Sequence, residues 1–266
     1  MAVFNDIYPR TGSPLSLAEI RRITGAKSAL FKYLRYSAVR DVVYFKDDFT
    51  DDTLNTFWSA VANGGGAGAA SPVISVAANG YINFTTGTAA DNTAASSIIS
   101  SAIWKGDQNA GMEFRFKTDP TNVTEFRFEG GFVDVVPGSS KSVVNSLVTP
   151  TVNTSVVDAA VFVVDNASAV TTAGLYTIGT AISAAKQAIT LPVTLAAATH
   201  YTVRIQLVTN QVYCWVNGEL LGQAATGSTD YVEGGSALAL WFRAGASNST
   251  SKVPLLDYVH AWADRA

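Results

Sequence analysis

The sequence is poor in the residue types on which covalent cross-links and most metal centres depend. Its 266 residues include one cysteine, Cys214, and two histidines, His200 and His260. A single cysteine excludes a disulfide within the chain and a cysteine-based zinc site. Neither histidine has a second histidine at metal-ligand spacing or a serine nucleophile in an elbow motif. We therefore expect no metal site, no cofactor and, for Cys214, the role of a small buried hydrophobe.

Charged residues and long apolar runs are also scarce. Only 15% of the residues are charged, against 48% that are hydrophobic. No run reaches the ~18 apolar residues of a membrane span. The N-terminal sequence MAVFNDIYPR lacks the apolar core of a signal peptide. The sequence thus predicts a protein that is made in the cytoplasm and does not enter a membrane.

Short alternating segments recur throughout the chain and favour an all-β fold. Val, Thr, Ser, Ala and Gly dominate the composition, and turn-rich connections separate the segments. The clearest segment runs from Tyr201 to Gly222. Its first half alternates apolar and polar residues, Val212–Val216 forms a second run, and Asn217-Gly218 suits a type I′ turn. These features predict two consecutive hairpins within an antiparallel sandwich or jelly roll.

The charge is divided between two parts of the chain. Residues 1–46 carry eight basic and three acidic side chains, whereas the remainder carries ten basic and eighteen acidic ones. Such a division is typical of a segment that contacts something other than its own domain. We predict a basic, partly helical N-terminal arm over residues 1–44 and a β domain over residues 45–266.

The arm contains an amphipathic helical pattern that begins after Ser16, with Glu19 at capping-box spacing. Its apolar residues share one stripe, and most of its basic residues lie outside that stripe. Two interpretations remain open: a helix that packs on its own domain, and an arm that docks on a neighbouring subunit. Nucleic-acid binding is not expected, because the bases lie near acids and lack a reading motif. The candidate partner-binding residues are Leu17, Ile20, Arg21, Arg22, Phe31, Lys32, Leu34 and Arg35.

The strongest candidate for acid-base chemistry is the alternating sequence Glu125, Arg127, Glu129. In a strand these three side chains share a face. A retaining glycosidase needs two carboxyl groups about 5 Å apart, whereas Glu125 and Glu129 would be separated by roughly 13 Å. A guanidinium between them also lowers both carboxyl pKa values. We interpret the group as an ion-pair ladder on a solvent-exposed sheet face and predict no catalytic residue.

Two further groups of residues have the chemistry of a binding site. Asp47, Asp48, Asp51, Asp52 and Asn55 offer oxygen atoms to calcium, but no glycine is placed for the sharp bend of a compact calcium loop. Turn and cap roles are the favoured interpretation, with calcium left open. Aromatic residues in strands are most often core residues, but they also stack on sugars. The candidate stacking residues are Trp104, Tyr213, Trp215 and Trp241.

Several motifs together resemble the concanavalin A-like (laminin-G/glucanase) jelly roll. They are Asp47-Asp48-Phe49 followed by Leu54 and Trp58, Gly131-Phe132-Val133-Asp134, the Tyr201–Gly222 double hairpin, and Leu255-Leu256-Asp257-Tyr258-Val259. The resemblance implies this fold from about Phe45 to the C-terminus. The same fold hosts lectins, glycan hydrolases and structural modules. The hydrolase branch carries an E-x-D-x-x-E strand motif, which this sequence lacks, so no catalytic residue carries over.

The combination of arm, composition and fold also resembles structural proteins of tailed-bacteriophage virions. This resemblance implies a non-enzymatic capsid decoration or head-associated protein, with the arm bound to the major capsid protein or another virion protein. The alternative is a carbohydrate-binding module of a phage tail or fibre. Residues 143–198 contain only Asp158, Asp165 and Lys186 as charged residues. This scarcity of charge predicts burial against neighbouring subunits and hence a homo-oligomer.

Overall fold

A computed structural model provides the structure of the protein. It describes residues 42–64, 70–75, 80–88, 94–121, 123, 126–137, 142–146, 151–153, 155–165, 172–178, 186–191, 195–208, 211–223, 232, 235–246 and 250–264. The predicted arm, up to residue 41, and Glu125 lie outside the described residues. The first described strand begins at Val42.

The first of two large sheets has eight antiparallel strands. Seven of them follow one another across the sheet, and the eighth, β1, pairs with β18 alongside β4. In spatial order they are β16 (Glu219–Gln223), β15 (Gln211–Val216), β14 (His200–Val208), β7 (Gly111–Lys117), β18 (Leu255–Asp264), β4 (Tyr81–Asn83) and β3 (Val73–Ser75), with β1 (Val42–Asp47).

The second sheet also has eight strands, all paired in antiparallel fashion. In spatial order its strands are β13 (Lys186–Leu191), β12 (Thr172–Ile178), β11 (Ala159–Asp165), β8 (Phe126–Val133), β17 (Ala237–Ala246), β5 (Ala94–Ser100) and β2 (Trp58–Gly64), with β6 (Trp104–Lys105) paired at the start of β17. Outside both large sheets, β9 (Val144–Ser146) and β10 (Thr151–Val152) form a separate two-stranded ladder. The predicted antiparallel all-β sandwich is confirmed.

Helical structure in the described part is limited to one 3-10 turn, Gly106–Gln108. The described ranges contain no helix of the length and apolarity that a membrane span requires.

The main core lies between the two sheets because each strand turns alternate residues inward. On β7 the inward residues are Met112, Phe114 and Phe116, and β8 contributes Phe128, all fully buried. Phe116 and Phe128 stack across the sandwich with ring centroids 4.5 Å apart. Aromatic rings of this size supply much of the apolar area that stabilises such a core.

The double hairpin predicted from the sequence is present in the first sheet. β14 pairs with β15, and β15 pairs with β16. Asn217 and Gly218 both have positive φ, 52° and 84°, as a type I′ turn requires. The hairpins therefore form the outer part of the first sheet, next to the central strand β7.

A second, smaller core covers the outer face of the second sheet. We call the described residues of this segment, 142–146, 151–153 and 155–156, which include β9 and β10, the strap. Val143, Val144 and Val156 of the strap cluster with outward-facing residues of β8, β11, β17 and β5. Burial within one chain thus accounts for the described apolar residues at the start of the uncharged stretch 143–198. The homo-oligomer remains a prediction.

Candidate functional site

A buried charge cluster lies on the outer face of the second sheet. Arg127 donates from Nη2 to Glu129 Oε1 at 2.8 Å and from Nη1 to Asp165 Oδ2 at 2.9 Å. The side chains of Arg127 and Glu129 have no exposed surface. The predicted ion pair is therefore present, but its predicted position on a solvent-exposed face is wrong.

The strap is the reason for this burial. Its backbone N–H groups at Val143 and Val144 donate to Glu129, to Oε2 at 2.9 Å and to Oε1 at 3.4 Å. Arg243 of β17 lies opposite Glu129 in the strand register. Burial lowers the pKa of Arg243 to about 10, and the charge of Glu129 opposes that shift. Two bases and two acids are thus enclosed together, and both carboxylates accept hydrogen bonds within the cluster.

The outer face of the first sheet carries a different, partly exposed set of polar residues. In the strand register Glu113 of β7 lies between Arg204 of β14 and His260 of β18. Tyr258 donates its hydroxyl to Glu113 Oε1 at 2.9 Å. Tyr258 also places its ring centroid 4.8 Å from that of His260. His260 thus packs among polar and aromatic neighbours.

Aromatic rings lie beside this polar row on the same face. The Arg204 guanidinium lies over the Trp215 ring, with Cζ 4.1 Å from the ring centroid. The Tyr213 ring centroid is 5.8 Å from that of Trp215. On β7 the absence of a side chain at Gly111 leaves room for Trp262, since a Cβ there would lie 2.3 Å from Trp262 Cζ2. The face therefore combines aromatic rings with charged side chains, as binding surfaces for proteins and sugars do.

The four candidate stacking residues occupy different environments. Trp104 and Trp241 are fully buried, and in the described part of the chain neither indole Nε1 has a hydrogen-bond acceptor. Trp104 and Trp241 therefore have no surface on which a sugar could stack in this structure. Trp215 is 7% exposed beneath Arg204, and Tyr213 is partly exposed. The first sheet thus brings together Tyr213 and Trp215, with Arg204 as a neighbour that sequence reasoning missed.

The acidic turn after β1 uses its carboxylates in local hydrogen bonds. Asp47 accepts from the Phe49 N–H at Oδ1 and from Trp58 Nε1 at Oδ2, both at 2.9 Å. Asp48 Oδ2 pairs with Lys46 Nζ at 2.5 Å. Burial raises the pKa of Asp47, whereas the hydrogen bond from Lys46 lowers the pKa of Asp48. These contacts agree with the turn and cap roles favoured for the group.

The described residues contain no group of three or more His, Cys, Asp and Glu side chains placed to hold a metal ion. Cys214 points into the main core and is fully buried. Burial raises the pKa of its thiol above the ordinary value. The prediction of a small buried hydrophobe at Cys214 is confirmed.

Comparisons with known proteins identify the fold. No protein-family model matches the chain, and no curated protein matches it by sequence. A solved protein of unknown function from Shewanella oneidensis, SO2946, superposes with a TM-score of 0.56 at 14% identity, over 96% of this chain and 99% of its own.

Several neighbours, among them a β-glucanase and a carbohydrate recognition domain, have names that refer to carbohydrates. The β-glucanase of Bacillus licheniformis superposes with a TM-score of 0.55 at 12% identity, over 84% of this chain and 98% of its own. The carbohydrate recognition domain of Emp47p superposes with a TM-score of 0.55 at 12% identity, over 85% of this chain and 98% of its own. The fold is therefore the concanavalin A-like jelly roll of glucanases and lectins, as the sequence resemblance implied.

Proposed function

We propose that the chain is a non-enzymatic structural protein of a bacteriophage virion. In this role it decorates the capsid or associates with the head, and its N-terminal arm attaches it to the major capsid protein or to another virion protein. The observation that carries the non-enzymatic part is the enclosed ion-pair cluster on the second sheet. Glu129 and Asp165 both accept hydrogen bonds from Arg127, and the strap backbone covers Glu129.

The geometry of this cluster argues against hydrolysis at this face. A glycosidase acid must hold a proton near neutral pH and reach the leaving-group oxygen. Glu129 and Asp165 are both hydrogen-bonded to Arg127, and the side chain of Glu129 has no exposed surface from which to reach a substrate. The strap also excludes a substrate from the face on which Glu129 lies.

The arm supports the attachment role. It carries an excess of basic residues, whereas the rest of the chain is acidic. Several contacts repeated over a symmetric shell give avidity without a tight single interface.

Particle association tests the proposal. The protein is expressed in cells that assemble its phage, as the full chain and without residues 1–40, and purified particles are assayed for its copy number. We expect the full chain on particles and loss of the truncated chain. Full occupancy by the truncated chain would exclude an anchoring arm. Hydrolysis of β-glucans that disappears in Glu129→Gln would contradict the non-enzymatic assignment.

Carbohydrate binding is the second candidate, and the partly exposed outer face of the first sheet favours it. Tyr213 and Trp215 lie side by side there with Arg204, which combines stacking surface with hydrogen-bond donors. The test is a glycan array with the wild-type protein and Tyr213→Ala. Tyr44→Ala, on the same face but at the opposite side of the sheet, is the matched control. Specific binding that only Tyr213→Ala abolishes would establish this function, and an array without signal would exclude it for the glycans displayed.

A further inference from the structure

The exposed apolar side chains are concentrated at one end of the sandwich. Nine large hydrophobic residues in the described part of the chain are classed as exposed. Two of them, Val73 and Leu220, lie away from this end. The other seven define what we call the end surface: Val43, Tyr44, Ile103, Val135, Val136, Val157 and Val208.

The strand register of the second sheet places four of these residues together. Val133 lies opposite Ala159 on β11 and opposite Ala239 on β17. Val135 and Val136 follow directly after Val133, and Val157 directly precedes Ala159. Three strand spacings separate β11 from β6, so the apolar row from Val157 to Ile103 is roughly 14 Å wide. Ile103 belongs to this row because Lys105, two residues later, pairs with Ala237 at the start of β17.

The end of the first sheet at which β7 begins lies at this same end of the sandwich. The 3-10 turn Gly106–Gln108 leads directly from β6 to β7, so Gly111 marks this end of the first sheet. Gly111 lies opposite Gln206 on β14 and Trp262 on β18. Val208 follows Gln206 closely, and Val43 pairs with Ala263 beside Trp262. The end surface therefore extends across both sheets.

The charged residues at this end are mainly acidic. Asp107 and Asp264 are exposed and Asp134 is partly exposed, whereas Lys105 is the basic residue among them in the described ranges. An exposed apolar patch with a charged rim is the usual appearance of an interaction site. Its occupant should be apolar on one side and carry basic residues.

We propose that the occupant is the amphipathic segment 17–34 of the same chain, with its apolar stripe bound to the end surface. The chain leaves the sheet at this end, because Val42 pairs with Asp264 at the end of β18. Residues 35–41 span at most about 25 Å when extended, which is long enough for the segment to fold back over an end of this size. The segment supplies apolar residues such as Leu17, Ile20 and Phe31 for the patch, and its four basic residues against one acidic residue give it a net charge opposite to that of the rim.

Docking in this way leaves Arg21, Arg22 and Lys32 directed away from the apolar contact. Tethering keeps the segment at a local concentration in the millimolar range, so a modest affinity suffices to hold it. The inference selects the own-domain interpretation of the arm and does not depend on the proposed virion role. It makes the basic side of the docked segment the surface that a partner would contact.

Chemical cross-linking in the full chain tests the contact. Phe31→Cys is combined with Val136→Cys and treated with a short bismaleimide, while buried Cys214 stays unreactive. The control pairs Phe31→Cys with Leu220→Cys, away from the end surface. We expect roughly tenfold more cross-linking within the chain for Val136→Cys than for Leu220→Cys. Equal yields for the two pairs would overturn the proposal.

The same experiment separates docking within a chain from exchange between chains. Isotopically heavy and light proteins are mixed before cross-linking, and the linked peptides are read by mass spectrometry. Links within one chain support the proposal. Heavy-light links at the statistical frequency would overturn it and assign the end surface to the segment of a second copy.

Limited proteolysis gives a second readout that needs no cysteine. Val136→Asp and Val157→Asp together place charge in the apolar patch at exposed positions, where the fold tolerates it. We expect trypsin to cleave after Arg21, Arg22 and Lys32 several-fold faster than in wild type, because the docked state is less populated. Val73→Asp with Leu220→Asp is the control with the same added charge. Equal cleavage rates in both double variants would also overturn the proposal.

Discussion

Arg127 and Glu129 form an ion pair with both side chains fully buried, at 2.8 Å between Nη2 and Oε1. The two residues are neighbours on one face of β8, and the strap closes over them. Burial of charge is costly unless each group is paired and hydrogen-bonded. Arg127 meets this condition by contacting Asp165 as well, and Glu129 meets it by accepting from the strap backbone. The pair therefore connects strap, β8 and β11 in the folded state.

The first prediction concerns the loss of Arg127. Arg127→Met leaves Glu129 and Asp165 buried without the cation that contacts both. We expect the free energy of unfolding to fall by about 3 to 5 kcal/mol. Urea unfolding followed by tryptophan fluorescence measures the change. Lys46→Met, which removes an exposed pair with Asp48, should cost less than about 1 kcal/mol. Equal effects of the two substitutions would contradict the structural role given to Arg127.

The second prediction concerns the packing of β8 against β11. A Cβ at Gly131 would lie 2.2 Å from the Ala160 carbonyl oxygen and 2.6 Å from Val161 Cα. Both are backbone atoms in a sheet and cannot move aside cheaply. Gly131→Ala should therefore destabilise the fold by about 3 kcal/mol or more. Gly235→Ala is the matched control, because a Cβ at Gly235 meets nothing within 4 Å. Similar melting temperatures for the two variants would refute this packing.

The third prediction concerns the thiol of Cys214. It is fully buried, and burial raises its pKa, so the reactive thiolate is scarce and shielded. We expect no reaction with a disulfide reagent in the native protein at pH 8 and complete reaction after unfolding in urea. Kinetics of labelling with an aromatic disulfide, followed by absorbance, provide the measurement. Labelling of the native protein at the rate of a free thiol would contradict the placement of Cys214.

The fourth prediction concerns the pH dependence that Asp134 contributes. Burial raises the pKa of Asp134, and the nearby charge of Asp158 adds to the shift. A raised pKa favours the protonated form in the folded state. The contribution of Asp134 to the free energy of unfolding is therefore present below pH 3.8, the ordinary pKa of an aspartate side chain. This contribution is lost as the pH rises through the higher pKa that Asp134 has in the folded protein.

Asp134→Asn should remove this contribution, so its stability relative to wild type should increase from pH 3 to pH 7. The control is Asp48→Asn. The hydrogen bond from Lys46 lowers the pKa of Asp48, so the wild type loses stability there as the pH falls. Urea unfolding at a series of pH values measures the free energy of unfolding of each variant relative to wild type. This difference should change with pH in opposite directions for the two variants. Slopes of the same sign would contradict the surroundings described for Asp134 or for Asp48.

The sequence was sufficient to predict those parts of the fold that depend on local alternation and turns. Residues 201–207 alternate apolar and polar side chains, Asn217-Gly218 follows the run Val212–Val216, and the structure contains both hairpins there. Gly111–Lys117 also alternates, and its inward residues Met112, Phe114 and Phe116 are buried in the core. In each case one face is buried in the core and the other is partly polar, so a period of two is visible in the residues themselves.

The parts that could not be predicted depend on contacts between distant segments. Glu129 has the sequence pattern of an exposed strand residue, and only the strap, more than ten residues later, removes it from water. β2 extends to Gly64, within a Gly- and Ala-rich stretch that favours a loop, because pairing with β5 supplies hydrogen bonds that its side chains do not predict. Trp241 was a candidate for ligand stacking, but the strap makes it a core residue. Nothing local in the sequence records these pairings.

The pairing of Val42 with Asp264 places the first and last described residues of the domain side by side. A protein fused after Ala266 would therefore emerge next to the point where the N-terminal arm joins the sheet. A domain inserted directly before Val42 would crowd the same region. The opposite end, where β14 begins near Lys117 and β18 begins near Asn83, is remote from both Val42 and Asp264. An insertion in a connection at that opposite end would display a foreign peptide without obstructing attachment.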